Sequence, residues 1–499
     1  MQRVDAALGR LGRQWPGLPY LGLGAYHAWI WLCYCSPLLA EGEAGPEQGS
    51  TVLSVYLVST LTLSAALLLS ALFSRRAERL VCKRAFVLGA GLVACAGTLV
   101  IAGAAQAGND VLLCVGGVAT GSSTAFVVLR LGCVYGKAEP ARSASCAMAS
   151  LVLACMLYFV ALGLPRPMGL AFMSLLPLAA AACTLVGGLP GSAAQDTKPL
   201  ERHGVSGRFL ARLFFGIALL SFAVSVLRGF ALAVMPAQSH AAESIFAASA
   251  AVLAVLVGMG LLGKGLNIPR LYRAAIVASG AGISLMPLLG FVASSDASLV
   301  GGEVLTSVAF EVLILLVWCV CAQVAFTPGA SAVRVFGLGR AGSALGSTVG
   351  QAFGAGVCMQ MGSGITTVVA ISVIALFVVF ATSTLLLNEG LICEAADVSR
   401  QGAGPASTLL GAVRPDGDKD DLTEGEAAVQ ELALRYGLSA REQDVLVLLV
   451  KGRTIAHAAS KLNISFNTAK THVRGIYQKT GVNTRQELLD LIECQPLEG

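Results

Sequence analysis

Residues 52–73 read VLSVYLVSTLTLSAALLLSALF and run directly into SRRAERLVCKR at residues 74–84. The first stretch carries no charged residue, and as a helix it is long enough to cross the hydrocarbon layer of a bilayer, which takes about 20 residues. The second gathers Arg75, Arg76, Arg79, Lys83 and Arg84 into one short connection. An apolar run that ends in a basic loop is the pattern of a membrane helix whose end stays in the cytoplasm. The pattern recurs along most of the chain. Of its 499 residues, 56% are hydrophobic and 13% charged, against roughly a quarter charged in ordinary soluble domains.

Working outward from this stretch, apolar runs at 19–39, 52–73, 85–105, 111–131, 144–164 and 168–189 make a first set of six. A polar connection with Gln195, Asp196, Lys198, Glu201, Arg202 and Arg208 separates them from runs at 209–235, 244–262, 272–293, 299–326, 342–361 and 366–387, the eleventh being mostly Gly, Ala and Ser. Basic residues then alternate as a topology requires. Arg75 to Arg84 follow span two, Lys137 and Arg142 span four, Lys264, Arg270 and Arg273 span eight, and Arg334 and Arg340 span ten. The opposite connections hold Glu41, Glu43, Glu47, Asn109, Asp110 and Asp296, with Arg166 the basic exception. Both termini are therefore expected in the cytoplasm, which requires an even number of spans.

Several readings are excluded. A removable leader fits poorly, because the basic start at Arg3, Arg10 and Arg13 leads into one apolar run among many. The 14 cysteines are scattered through apolar segments, and pairs such as Cys33/Cys35 and Cys319/Cys321 lack companions at metal-ligand spacing. They read as small buried hydrophobes. Neither a nucleophile with its base, nor a metal cluster, nor a phosphate loop is found, so no catalytic residue, metal or cofactor is expected. Gly337-x-Gly339-x-x-Gly342 lies ahead of a span and not between a strand and a helix, so it reads as close helix packing.

Two sets of six spans around a long cytoplasmic connection resemble the major facilitator architecture of paired six-helix halves. The loop Ser74-Arg75-Arg76-Ala77-Glu78-Arg79-Leu80-Val81-Cys82-Lys83-Arg84 is similar to that superfamily's loop between spans two and three, with Glu78 in the acidic place, although the glycines are missing. The expected fold is all-α: a polytopic membrane bundle over residues 1–388, a linker with a short helix over 389–436, and a small four-helix domain over 437–499.

The linker carries Pro405, Pro415 and the acidic run Asp416, Asp418, Asp420 and Asp421, and Thr423 with Glu426 opens its short helix. Beyond it, Ser439 with Glu442 forms a capping box that starts an apolar stripe of Val445, Leu446, Leu448 and Leu449, stopped by Gly452. A second helix covers about 454–462. After the turn Asn463-Ile464-Ser465, Ser465 caps a third helix that Gly481 ends, and Thr484 with Glu487 opens a fourth. Helical spacing turns Ala469, Val473 and Ile476 of the third helix inward and leaves Asn467, Lys470, Thr471, Arg474 and Gln478 outside. From Val445 through Arg485 there is no Asp or Glu, while Lys451, Arg453, Lys461, Lys470, Arg474, Lys479 and Arg485 all fall there. A surface of one sign suits a polyanion.

Leu438-Ser439-x-Arg441-Glu442-x-x-Val445-Leu446, Gly452, Ala459, Leu462, Ile464-Ser465-x-x-Thr468-x-Lys470-Thr471-His472-Val473, Ile476, Lys479, Gly481-Val482 and Arg485-x-Glu487-Leu488 closely resemble the LuxR-type helix-turn-helix. The resemblance implies a recognition helix in the major groove of double-stranded DNA, with Lys470 in contact and the fourth helix pairing two copies as a homodimer. The expected DNA-contacting set is Ser465, Asn467, Thr468, Lys470, Thr471, Arg474, Lys479, Arg453 and Arg485. Ala458, Ala469 and Thr480 depart from the larger aliphatics usual in the family.

With a membrane bundle in front of this domain, two functions compete: a one-component regulator sensing a small molecule or an envelope signal, and a transporter with a regulatory DNA-binding tail. Coupled transport uses ionisable groups in both halves, and the first half is nearly bare of them. Arg130 sits at a cytoplasmic end and is expected to snorkel outward, while His27 reads as a packed or interfacial residue. The deep charges lie in the second half: Arg228 in span seven, Glu303 and Glu311 in span ten. At about 1.5 Å per residue, Arg228 lies roughly 10 Å and Glu303 roughly 6 Å from the outer ends of their spans. These residues either pin two helices together or line a ligand site.

Overall fold

The computed structural model describes residues 10–12, 14–34, 36–39, 46–186, 205–234, 268–292, 295–327, 329–387, 432, 433, 435–450, 458, 462, 466–482, 487, 488 and 491. It divides into two units, Met1–Gly404 and Pro405–Gly499. Among the described residues all regular structure is helical.

The first unit contains α1 (Leu18–Tyr34), α2 (Pro46–Leu72), the short α3 (Ser74–Val81), α4 (Arg84–Ala107), α5 (Asp110–Tyr135), α6 (Pro140–Gly163), α7 (Arg166–Cys183), α8 (Gly207–Val234), α9 (Ile268–Val292), α10 (Ser295–Phe326), α11 (Ala332–Met361) and α12 (Ile365–Leu385). Nine of the described helices are long and apolar enough to cross a membrane. Of the twelve expected spans, nine fall on these helices, the first and the eleventh fall on α1 and α11, which are not among the nine, and the eighth lies outside the described residues. The basic loop after span two is itself the helix α3.

Helix ends follow local chemistry. The side chain of Asn109 accepts from the Leu112 amide at 3.0 Å to start α5, Ser331 accepts from the Arg334 amide at 3.2 Å to start α11, and prolines occupy the first turns of α6 and α7, where a missing N–H costs nothing.

The packing repeats with a period of six spans. In the first half α1 lies against α5, α6 and α7, and α4 against α5 and α7. In the second, α8 lies against α10, α11 and α12, and α9 against α10 and α12. The halves meet where α11 packs on α2 and α5, and where α10 packs on α6. The expected pair of related halves is therefore present in the contacts.

The tightest pairing, α8 with α11, explains the unusual composition of span eleven. Gly342, Gly346, Gly350 and Gly354 recur every fourth residue on one face of α11, and a β-carbon on each would overlap the carbonyl oxygen of Phe214, Ala218, Phe222 or Val226 on α8. Small residues let two backbones approach in this way in a membrane. Ser225 donates to Ser347 at 3.1 Å inside the same seam. Gly337 likewise faces the Leu67 carbonyl and Ala71 on α2, in keeping with the packing role expected of this glycine-rich stretch.

Two expectations are corrected. Arg340, placed by its sequence position in the connection after span ten, lies inside α11, which begins ten residues earlier than the apolar run, and only 6% of its surface is exposed. Arg130 does not snorkel outward. It is 1% exposed and donates to the Val81 carbonyl and the Thr184 carbonyl, each at 3.2 Å. Those oxygens sit at the ends of α3 and α7, where helix carbonyls lack intrahelical partners and favour a cation.

In the second unit α13 (Ala440–Val450) packs on α14 (Phe466–Thr480). Their core gathers Leu438, Val445, Leu446, Leu449, Val473 and Ile476, together with Leu488 from the region expected to form the fourth helix. The expected second helix and most of the fourth lie outside the described residues.

Candidate nucleic-acid interface and a buried charge cluster

The third helix of the small unit is α14, and its faces divide as the spacing requires. Ala469, Val473 and Ile476 are buried, while Thr468, Lys470, Thr471, Arg474 and Gln478 are exposed. Gly481, with φ at +75°, adopts the left-handed conformation that ends the helix. Of the remaining expected contact residues, Asn467 lies on α14 with its side chain outside the described set, as do Ser465, Arg453 and Arg485 altogether.

The orientation of α14 is fixed through Glu442. Its carboxylate accepts from the Ser439 amide at 2.7 Å, and the Glu442 amide donates to the Ser439 hydroxyl at 3.4 Å, which completes the expected capping box. Lys479 donates to the same carboxylate at 2.7 Å and to the Gly437 carbonyl at 3.1 Å. Its ammonium is thus engaged within the domain. Gly475 allows the approach, since a β-carbon there would press on the Glu442 carboxylate. Burial alone raises the Glu442 carboxyl, but the hydrogen bonds from Lys479 and Ser439 outweigh it and leave the group below the usual carboxylate range. The departures at Ala458, Ala469 and Thr480 are absorbed: both alanines are fully buried, and the Thr480 hydroxyl donates to the Ile476 carbonyl at 2.7 Å.

Residues 437–492 match the family described as bacterial regulatory proteins, luxR family. The chain is 39% identical over 62 residues to the spore germination protein GerE of Bacillus subtilis (strain 168), covering 84% of that protein and 12% of this one. The chain belongs to the LuxR family of bacterial regulatory proteins. As in that family, its C-terminal domain is a DNA-binding helix-turn-helix. A second LuxR-type relative, the HTH-type transcriptional regulator MalT of Yersinia pestis (strain Pestoides F), is 42% identical over 59 residues, and the chain spans only 6% of its length. The membrane unit of this LuxR-family chain is similar to a bacterial homologue of the iron transporter ferroportin, at 13% identity and a TM-score of 0.48, over 76% of this chain and 98% of that one.

The bundle holds a second set of polar residues. Glu311 on α10, 8% exposed, accepts from the Trp31 indole of α1 at 3.0 Å, and the cations close enough to act on it are Arg228 of α8 and Arg340 of α11. The Arg228 guanidinium lies over the Phe310 ring at 4.9 Å, and that of Arg340 over the Trp318 ring at 5.6 Å. Two of the three residues expected deep in the second half, Arg228 and Glu311, are thus brought together. Glu303 lies on α10 with its side chain outside the described set.

Sequence reasoning missed Trp31 and Arg340. Trp31 is separated from its partner by 280 positions, so no local pattern relates them. The signal for Arg340 was available: the Gly, Ala and Ser on either side continue one small-residue face of a single helix. Glu78 of α3 accepts from the Ser331 hydroxyl, which puts a carboxylate at the N-terminus of α11, where the helix dipole favours it.

Proposed function

We propose that the chain is a membrane-bound one-component transcription regulator. In this reading the bundle lies in a bacterial cytoplasmic membrane with both termini in the cytoplasm and receives a small-molecule or envelope signal. The C-terminal domain binds double-stranded DNA as a homodimer through Thr468, Lys470, Thr471 and Arg474 of α14, assisted by Ser465, Asn467, Arg453 and Arg485. Lys479 contributes to the field from the end of the helix.

The observation that carries the reading is the division of α14 into a buried apolar face and an exposed basic one, in the same chain as an apolar multi-helix unit. A base-reading helix needs side chains of this kind free to reach groove edges and phosphates. Signal reception is placed at Arg228 and Glu311, with Glu303 on the same helix. Ionisable groups deep in a bundle are costly and mark functional positions.

The test is to map bound DNA in cells expressing the intact chain and the Lys470→Ala/Arg474→Ala variant. The expected result is discrete sites for the intact chain that vanish in the variant at equal membrane abundance. Topology reporters placed after Ser74 and Asn388 are expected to score cytoplasmic, and one near Gly45 external. An external C-terminus removes the proposal. A transporter with a regulatory tail is favoured instead if DNA occupancy is indifferent to every substitution at Arg228 and Glu311 while solute uptake is not.

A further inference from the structure

The core of the small unit extends ahead of the stretch that matches its family. The match starts at residue 437, yet Leu432 and Ala433 are 0% and 2% exposed and belong to the same core as Val445, Leu449, Val473 and Ile476. Both are helical, and the turn they belong to is closed as a helix end is closed. The Tyr436 amide donates to the Leu432 carbonyl at 3.0 Å, and the Leu438 amide reaches back to the Ala433 carbonyl at 2.9 Å. Gly437 between them has φ at +61°, the left-handed conformation such an ending needs, and Leu438 enters the core behind it.

The recognition helix is tied to this turn. Lys479, next to the last residue of α14, donates from its ammonium to the Gly437 carbonyl at 3.1 Å and to the Glu442 carboxylate at 2.7 Å. One cation therefore joins the incoming turn, the first turn of α13 and the last turn of α14. Two of its three donors are spent inside the domain and its charge is met by Glu442, which suits an anchor better than a phosphate contact. Lys470 and Arg474 stand nine and five residues before Lys479 on the same helix, roughly 14 and 8 Å along its axis at 1.5 Å per residue. A tilt at the anchored end is carried to both.

We propose that Lys479 and Gly437 are positioning residues for DNA reading: the turn at residues 432–437 holds α14 at the angle from which Lys470 and Arg474 reach the groove, and Lys479 acts through that turn and not by touching DNA. That α14 is the helix in contact with DNA is the preceding reading, on which this role of Lys479 rests. The linker enters the domain at this turn, so a displacement of the linker reaches α14 directly.

The experiment uses the full chain in detergent micelles. The probes are a duplex recovered by the mapping described above and a scrambled duplex of the same composition. A β-carbon at Gly437 would meet nothing within 4 Å, so substitution there acts through the backbone: a β-branched residue resists a positive φ, whereas Asn tolerates it. Gly437→Val is expected to weaken binding to the recovered duplex roughly tenfold, within the range that losing one base contact costs. Binding to the scrambled duplex and the salt dependence are expected to hold, since no charge is removed. Gly437→Asn is expected to bind as wild type. Lys479→Met is expected to match Gly437→Val on the recovered duplex and Lys479→Arg to restore binding. The Gly437→Val/Lys479→Met double variant is expected to lose no more than either single variant, because each breaks the same contact. A role in stability alone would lower the melting temperature and leave the ratio of the two affinities unchanged, which overturns the assignment. So does an equal loss on both duplexes in Lys479→Met beside wild-type binding by Gly437→Val, which makes Lys479 a phosphate contact. Additive losses in the double variant overturn it as well. Lys470→Ala in the same titration tells the two failures apart: if it weakens binding while Gly437→Val does not, α14 reads DNA without help from the turn, and if it binds as wild type, the reading of α14 falls and the positioning role with it.

Discussion

Helices α14 and α11 both carry arginine, and they use it in opposite ways. On α14, Arg474 stands with Lys470 on an exposed face, hydrated, and available to a polyanion at little cost to the fold. On α11, Arg340 is buried over Trp318 in the tightest-packed part of the bundle. An exposed cation retains water as its alternative partner until DNA replaces it. A buried one has lost that alternative, so the surrounding packing has to hold it in place. The first kind of charge is therefore tuned by ionic strength, whereas the second depends on the geometry of the neighbouring helices.

The largest expected effect attacks that geometry. Gly350→Leu places a branched side chain against the Phe222 carbonyl of α8, where a β-carbon alone would already lie 2.5 Å from the oxygen. A backbone cannot yield as a side chain does, so the cost exceeds the usual 1–3 kcal/mol of an overpacked core. The expected outcome is loss of monodisperse protein on size exclusion, whereas Gly356→Leu, at a position with open space around it, is expected to leave the profile unchanged. Equal behaviour of the two variants would break the account of span eleven.

On the exposed side the effect is on binding and not on folding. Lys470→Ala and Arg474→Ala are each expected to weaken operator binding by about 1–3 kcal/mol if the side chain reaches a base edge. A contact only to phosphate would instead lower the salt dependence with little change in sequence preference. Filter-binding titrations across salt concentrations distinguish the two, and thermal unfolding of the full chain is expected not to move.

The same contrast explains what the sequence could and could not reveal. Ala469, Val473 and Ile476 were legible as an inward face because a helix relates residues three and four apart, and the capping box at Ser439 and Glu442 lies within one turn. The membrane helices were legible from apolar runs. Trp31 with Glu311 was not, because that bond joins helices of different halves, and nothing in either segment indicates the other. Arg340 reads as part of a connection as long as basic residues serve as topology signals, although a glycine-rich helix continues through it. Arg130 misled for a related reason: a position near a cytoplasmic end suggested water as its partner, whereas the ends of α3 and α7 supply carbonyls.

Glu442 lies between the two regimes, with Lys479 as a partly exposed cation on a buried carboxylate. Its folded-state value is depressed, so its contribution to stability is fully present above the unfolded value of about 4.5 and is lost as pH falls through the lower folded value. Hydrogen exchange of the α14 amides in the intact chain is expected to be faster in Glu442→Gln than in wild type near neutral pH. The two should converge as the solution is acidified below the folded value. A difference that persists undiminished in acid would mean that Glu442 acts through shape and not through charge.

The smallest effect concerns Thr480, which is 8% exposed and whose hydroxyl is spent on the Ile476 carbonyl of its own helix. The bond goes to a carbonyl of the hydroxyl's own helix, and it also buries a hydroxyl that an apolar neighbour cannot reward. Thr480→Val keeps the branching and exchanges the bond for a methyl group in contact with the core. The two terms nearly cancel, because a neutral hydrogen bond contributes only about 1 kcal/mol net and a buried methyl group about as much. Amide exchange in α14 is therefore expected to change by less than the amount that Glu442→Gln produces at neutral pH, and operator affinity is expected to hold. A large loss of affinity with unchanged exchange would place the Thr480 hydroxyl at the DNA and turn the end of α14 from a packing element into part of the exposed basic face.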